Sequence, residues 1–164
     1  MKQVIILIGL KGSGKTYIGS LLQEKLGIYF LRVENLWLSL KSDRLSTEYF
    51  VEGFSLVEHE IDRILASTDR VVIESTGTTS YFKPFLERLR NRYELKLIRI
   101  VTSPAICLKR VKARDVSVHI PVSDDLLEQV NREALEVDLD YDAILENEHT
   151  TNKEIIDIFK KILQ

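Results

Sequence analysis

The chain has 164 residues, 45% of them hydrophobic and 29% charged, with 23 Lys+Arg against 25 Asp+Glu. That length suits one compact domain over 1–164 with a core of its own, and the composition excludes a disordered or collagen-like chain. A net charge of −2 argues against a protein devoted to non-specific nucleic-acid or anionic-membrane binding. The single cysteine, Cys107, excludes a disulfide framework and fits a reducing interior. The longest apolar run, Val4 to Ile8, is too short to span a bilayer. It leads into Gly9-Leu10-Lys11-Gly12 rather than a signal-peptide cleavage site, which points to the cytoplasm.

In chain order, Val4–Ile8 has the continuous apolar character of a strand buried on both faces of a parallel sheet. Thr16–Leu26 follows as a helix with Ile18, Leu21 and Leu22 at helical spacing, closed by Gly27. Ile28–Val33 is a second strand, Glu34–Leu40 a short helix, and Tyr49–Ala66 a longer helix with Leu56, Ile61, Ile64 and Leu65 inward. Val71–Glu74 is a third strand, Tyr81–Asn91 a helix and Leu95–Val101 a fourth strand. Ser103-Pro104 supplies an N-cap and N1 proline for a helix to about Arg114, and Val116–Val122 is a loop. Ser123 caps the next helix, with Asp124 and Asp125 at its positive end. Ala143–Glu146 is a short last strand, and Thr151-x-x-Glu154 is a capping box opening a helix through Phe159. Such alternation predicts an α/β architecture, a parallel sheet with helices on both faces.

Between the first strand and first helix lies Gly9-Leu10-Lys11-Gly12-Ser13-Gly14-Lys15-Thr16, which fits G-x-x-x-x-G-K-[ST] without mismatch. Glycines let successive N–H groups turn inward around a phosphate, where a Cβ would obstruct them. The helix that begins there aims its unsatisfied N–H groups and positive dipole end at the same anion. Lys15 is placed to reach the β- and γ-phosphates as a point charge, and the Thr16 hydroxyl to ligate Mg²⁺. The nucleotide-binding candidates are therefore Gly9, Lys11, Gly12, Ser13, Gly14, Lys15 and Thr16, with Tyr17 next on the helix.

This loop, the run Val71-Val72-Ile73-Glu74-Ser75-Thr76-Gly77 and the run Cys107-Leu108-Lys109-Arg110-Val111-Lys112-Ala113-Arg114-Asp115 occur in the order seen in small P-loop kinases. The chain resembles the adenylate-, shikimate- and gluconate-kinase-like proteins and their polynucleotide-kinase-like and zeta-toxin-like branches. The resemblance implies a three-layer α/β/α sandwich around a five-stranded parallel sheet in the order 2-3-1-4-5, with a short lid at about 114–123. It also implies transfer of the γ-phosphate of Mg·ATP to a small acceptor bearing a hydroxyl or a phosphate. By the same resemblance Arg110 lies against the adenine or its phosphates, Arg114 meets the transferring phosphoryl group, and Asn147-Glu148-His149 borders the adenine mainly through its backbone. The four-residue spacing puts Arg110 and Arg114 on one helix face, which would equally suit a solvated basic surface.

Two positions depart from the family. Glu34 stands where many relatives carry Asp after the second strand. It would serve as a base for the acceptor hydroxyl or as an acid in the first turn of a helix. Glu74 stands where an acidic residue holds Mg²⁺ through water, and a carboxylate ending an apolar strand needs a partner. Ser75-Thr76-Gly77-Thr78-Thr79-Ser80, beyond the third strand, either contacts the acceptor or forms a turn. Trp37 is packing or a stacking platform; Arg132 binds an anionic acceptor or is solvated; His119 lies in the lid. Cys107 reads as core, and no His spacing fits zinc.

Other functions compete on the same residues. A nucleotide-binding protein with weak or no chemistry would keep the same loop. A 5′-hydroxyl nucleic-acid kinase is disfavoured by the balanced charge. A GTPase switch lacks a guanine-reading N-K-x-D, because Asn152-Lys153-Glu154 is followed by Ile155. Membrane and nucleic-acid partners are not expected, and the sequence is silent on oligomeric state and on the acceptor's identity.

Overall fold

The computed structural model describes residues 1–114, 120 and 122–164. The elements run β1 (Gln3–Ile8), α1 (Lys15–Leu26), β2 (Tyr29–Phe30), α2 (Val33–Ser39), α3 (Thr47–Leu65), β3 (Arg70–Ser75) and α4 (Phe82–Arg90). They continue through β4 (Glu94–Val101), α5 (Pro104–Lys112), α6 (Asp124–Leu135), β5 (Ala143–Glu146) and α7 (Asn152–Ile162). The strands form one five-stranded sheet in the order β2-β3-β1-β4-β5, parallel throughout, as the resemblance implied.

β1 is buried along its whole length because helices cover both faces of the sheet. Side chains alternate across a strand. Val4, Ile6 and Ile8 therefore enter a core with α3 and α4, while Ile5 and Leu7 enter a second core with α1 and α7. A smaller cluster of Leu10, Cys107 and Ala134 joins the first loop to α5 and α6. Among the described residues no helix is long and apolar enough to cross a membrane.

Several expectations need correction. The second strand is two residues long rather than six. It is an edge strand with β3 as its partner; after Leu31 N–H donates to the Val72 carbonyl at 2.9 Å, the chain turns at Arg32 into α2. On α3 the buried stripe is Tyr49, Gly53, Phe54, Val57, Ile61, Ile64 and Leu65, and Leu56 is only half-buried. Ser103 does occupy the N-cap of α5, with Pro104 at the helix start, but its hydroxyl caps nothing. Its N–H instead donates to the Glu148 carboxylate. Ser123 caps α6 through a 3.2 Å bond from Leu126 N–H, and Thr151 with Glu154 forms the expected capping box on α7.

Candidate active site

The register of the sheet brings the chemistry together. Leu7 lies beside Glu74 and Ile8 beside Ser75, so the loop after β1 and the end of β3 emerge side by side at the carboxyl edge of the sheet. Open parallel sheets bind ligands at that edge.

The phosphate loop is held by its neighbours on three sides. Gly12 and Gly14 have φ of 88° and 94°, a region open to glycine at little cost. There is also no room for a side chain: a Cβ on Gly12 would run into the Cys107 carbonyl, and one on Gly14 into the Asn147 amide. Asn147 Nδ2 donates to the Ser13 carbonyl at 2.8 Å, and the Thr102 hydroxyl donates to the same oxygen at 3.1 Å. Asn131 on α6 accepts from Lys11 N–H at 2.8 Å and returns a 3.3 Å bond to the Lys11 carbonyl. Nothing in the sequence points to the Asn131 contact, and at Asn147, where mainly backbone contact is expected, the side-chain amide is what holds the loop. An amide 120 residues away carries no local signal.

Lys15 is buried, and its Nζ donates to the Gly9 and Leu10 carbonyls at 2.8 and 2.7 Å. Burial lowers its pKa from 10.5 to about 8, with Glu74 opposing the shift. Burial also lowers the Lys11 ammonium, against the pull of Glu34. Glu74 is shifted the other way: burial raises its carboxyl, opposed by Lys15 and the Thr16 hydroxyl. Desolvation thus outweighs attraction at both ends of the Lys15–Glu74 pair, and each group is poised to gain from an added ligand of opposite charge.

The Thr16 hydroxyl donates to Glu74 Oε2 at 2.8 Å. Glu74 Oε1 is buried without a partner among the described residues. One hydroxyl and one carboxylate with an unused oxygen fit the way Mg²⁺ is held, by few protein oxygens, waters and substrate phosphates.

Arg110 and Arg114 do not share a helix face. α5 ends at Lys112, and Arg114 N–H closes a turn on the Val111 carbonyl at 3.1 Å. Arg110 reaches over the loop to the Asn147 carbonyl at 3.1 Å and the Gly12 carbonyl at 3.4 Å. Arg114 instead lines a cavity of about 290 Å³ together with Lys11, Lys15, Thr16, Glu34 and Glu74. Glu34 accepts from Ile120 N–H at 3.3 Å. Most of the expected lid, 115–119 and 121, and with it His119, lies outside the described residues.

Three further candidates separate cleanly. Tyr17 is 53% exposed and its hydroxyl donates to Asn152 Oδ1 at 2.7 Å; only its main-chain amide belongs to the helix opening. Arg132 is exposed and pairs with Glu128 one turn away at 3.7 Å, outside the cavity lining. Trp37 does line the cavity, with Tyr49, Phe50 and Phe54 around it at centroid distances of 5.1, 6.2 and 5.2 Å. Arg44 also lines the cavity, and Arg32, whose Nε and Nη2 are buried without partners among the described residues, adds its charge near Glu74. Neither arginine was singled out from the sequence. Burial raises the Cys107 thiol, as expected of a core cysteine.

Sheet order and phosphate loop together define a P-loop nucleotide-binding protein of the small-kinase type. Residues 4–137 match the model of the AAA domain family, and the chain belongs to that family. The shikimate kinase of Symbiobacterium thermophilum is 38% identical over 77 residues, 44% of this chain and 44% of that protein. The chain spans about half the length of the curated relatives it matches. The APS kinase CysC of Mycobacterium tuberculosis, in complex with AMPPNP and APS, superposes with a TM-score of 0.68 at 16% identity, over 99% of this chain and 98% of that one. The shikimate kinase of Acinetobacter baumannii in complex with shikimate gives a TM-score of 0.65 at 21% identity, over 100% and 92%.

Proposed function

We propose that the protein transfers the γ-phosphoryl group of Mg·ATP to a hydroxyl of a small-molecule acceptor. One juxtaposition carries this reading: Lys15 and the Thr16–Glu74 pair form one end of the same cavity that Glu34 and Arg114 line. A nucleotide-binding protein without chemistry has no need for a second concavity at its phosphate end.

The main-chain amides of 12–16 and the opening of α1 bind the β- and γ-phosphates, and Lys15 leaves the Gly9 and Leu10 carbonyls to meet them. Thr16 and Glu74 would hold Mg²⁺, the carboxylate directly or through water, and the ion would neutralise charge on the β- and γ-oxygens. The acceptor oxygen bonds to the γ-phosphorus as the bond to the β,γ-bridging oxygen breaks, and ADP departs with that electron pair. Glu34 takes the hydroxyl proton. Arg114 spreads charge from the phosphoryl oxygens, an effect that reaches about 10³–10⁵ in rate in related chemistry. Arg110, seated across Gly12 and the Asn147 carbonyl, borders the nucleotide on its other side. These steps draw on residues from Gly12 to Asn147, so this reading takes 1–164 as one working unit.

Calorimetry with Mg²⁺ and ATP, followed by a mass-resolved transfer screen over small alcohols, tests the proposal. Tight ATP binding and an acceptor-dependent gain of a phosphoryl mass are expected, with transfer lost and binding weakened in Lys15→Met. Absence of ATP binding would remove the proposal entirely. Binding without transfer to any alcohol would leave a nucleotide-binding protein.

A further inference from the structure

The cavity is divided by chemistry. Its ionic groups gather near the phosphate loop, with Arg44 at the mouth, whereas the body of the cavity is apolar. One wall consists of Trp37, Tyr49, Phe50 and Phe54, and the floor of Phe82 and Phe85. Ile120, Val122, Leu126 and Val130 add an aliphatic stretch, and Ser75, Thr76, Thr78 and Thr79 a row of hydroxyls. We infer that the acceptor is an alcohol with a flat aromatic body of one or two rings, seated against Trp37 and Phe50 with its hydroxyl toward Glu34. This deepens the phosphotransfer reading and rests on it.

Four observations carry the inference. First, the wall is built at a cost. Gly53 lies inside α3, where glycine is a poor helix residue, yet a Cβ there would collide with the Trp37 ring. The glycine lets that ring lie flat against the helix as part of the wall. Second, Leu45 at the mouth has φ of 65°, the one positive φ outside glycine among the described residues. It is also 63% exposed. Backbone strain of this kind gathers at ligand sites, and Leu45 lines this cavity. Third, Thr79 Oγ1 is buried without a partner among the described residues on a cavity-lining residue, so one hydrogen-bonding group of the acceptor has a place to go. Fourth, the volume of about 290 Å³ is at the small end of ligand pockets, which run from roughly 300 to 1,000 Å³.

A polyhydroxy acid or a sugar would set several hydroxyls against ring faces. Those turned away from Ser75, Thr76, Thr78 and Thr79 would give up water without a replacement partner, weakening binding by about tenfold per group. An aromatic body instead meets Trp37 and Phe50, which stand at 67° to each other, with its face to one ring and its edge to the other. Both contacts reward a π-system.

Trp37 is the only tryptophan in the chain, so its fluorescence reports the wall without requiring turnover. With the full chain saturated by Mg·AMPPNP, benzyl alcohol and 2-phenylethanol are titrated against shikimate and gluconate, and the same four are assayed for transfer from ATP. The aromatic alcohols are expected to change Trp37 emission saturably and to be phosphorylated, with shikimate and gluconate silent in both assays. Phe50→Leu should raise the aromatic acceptor's KM about fivefold, and Thr79→Val should raise it about threefold; both should leave the Kd for ATP within about twofold. If Thr79 were merely structural, removal of an orphaned hydroxyl would raise the melting temperature and leave KM unchanged. Preferred transfer to shikimate or gluconate, or ATP binding with no response to either aromatic probe, overturns the inference. Absence of nucleotide binding defeats the phosphotransfer reading first, and saturable emission changes with the aromatic alcohols alone would still uphold the assignment of the cavity.

Discussion

The phosphate loop and the cavity beside it share Lys15, Thr16 and Glu74 but are built by opposite means. The loop is a polar object: its shape is held by hydrogen bonds from Asn131, Thr102 and Asn147 and by glycines with no space for a side chain. The cavity is mainly an apolar object, shaped by rings from α2, α3 and α4 and by aliphatic side chains on and before α6. Hydrogen bonds are directional and fix atoms to a few tenths of an ångström, which suits a phosphate chain common to many enzymes. Ring packing tolerates substitution of similar volume, which suits a surface that differs from one acceptor to another. On the proposed reading, Arg114 and Glu34 carry the rate from within the cavity, and the rings carry the choice of acceptor.

Variants on each side should therefore separate rate from affinity. The largest effect is expected for Arg114→Ala, a fall of about 10³-fold in kcat with ATP affinity nearly kept, read by single-turnover transfer and calorimetry. An equal loss in ATP affinity and rate would move Arg114 from the transferring group to ground-state binding.

Glu74→Gln should lower Mg²⁺-dependent turnover by about 10–100-fold while raising the melting temperature of the ligand-free protein at pH 7. The Glu74 carboxyl is raised above its ordinary 4.5 by burial, so the folded state binds the extra proton. Stability from this group is then present at low pH and lost as pH rises from about 4.5 toward the folded value. The advantage of the Gln variant should accordingly vanish near pH 4. A variant that melts lower than the parent at pH 7 would contradict the sign.

Lys15 makes a smaller, pH-dependent contribution. With its ammonium at about 8, ATP affinity should weaken above that pH, by up to about tenfold per unit, and Lys15→Met should lack the slope. In the ligand-free protein the depressed value has the reverse consequence: the unfolded chain binds more protons between about 8 and 10.5, so this group favours the fold as pH rises through that window. Smallest of all, Asn131→Ala should cost about 1–3 kcal/mol in chemical denaturation, because it strands the Lys11 amide, and should weaken ATP only a few-fold. A neutral result would mean that the loop holds its shape without α6.

Within the sequence alone, information was densest where contacts are local. The run from Gly9 to Thr16 is eight consecutive residues whose spacing states its chemistry, and β1 and β3 announce themselves by apolar runs, β4 by apolar residues interrupted only at Lys96 and Arg99. Glu74, at the end of the third strand, and Glu34, after the second, stand out through the family resemblance. α5 was overextended because Lys112 to Arg114 continues a helical spacing that the turn at Val111 interrupts. The edge strand β2 was overextended because Leu31 and Val33 are apolar for the sake of the α3–α4 core rather than for further pairing.

The residues themselves thus determined the class of fold, the anion-binding loop and the titratable groups at the sheet's carboxyl edge. Tertiary structure alone decided which way each arginine turns, that Asn131 and Asn147 clamp the loop, and that six rings from three helices surround one cavity. The reason is physical: a phosphate loop is a backbone conformation written in neighbouring residues. A cavity is the space left between elements brought together by burial, and no stretch of chain encodes it by itself.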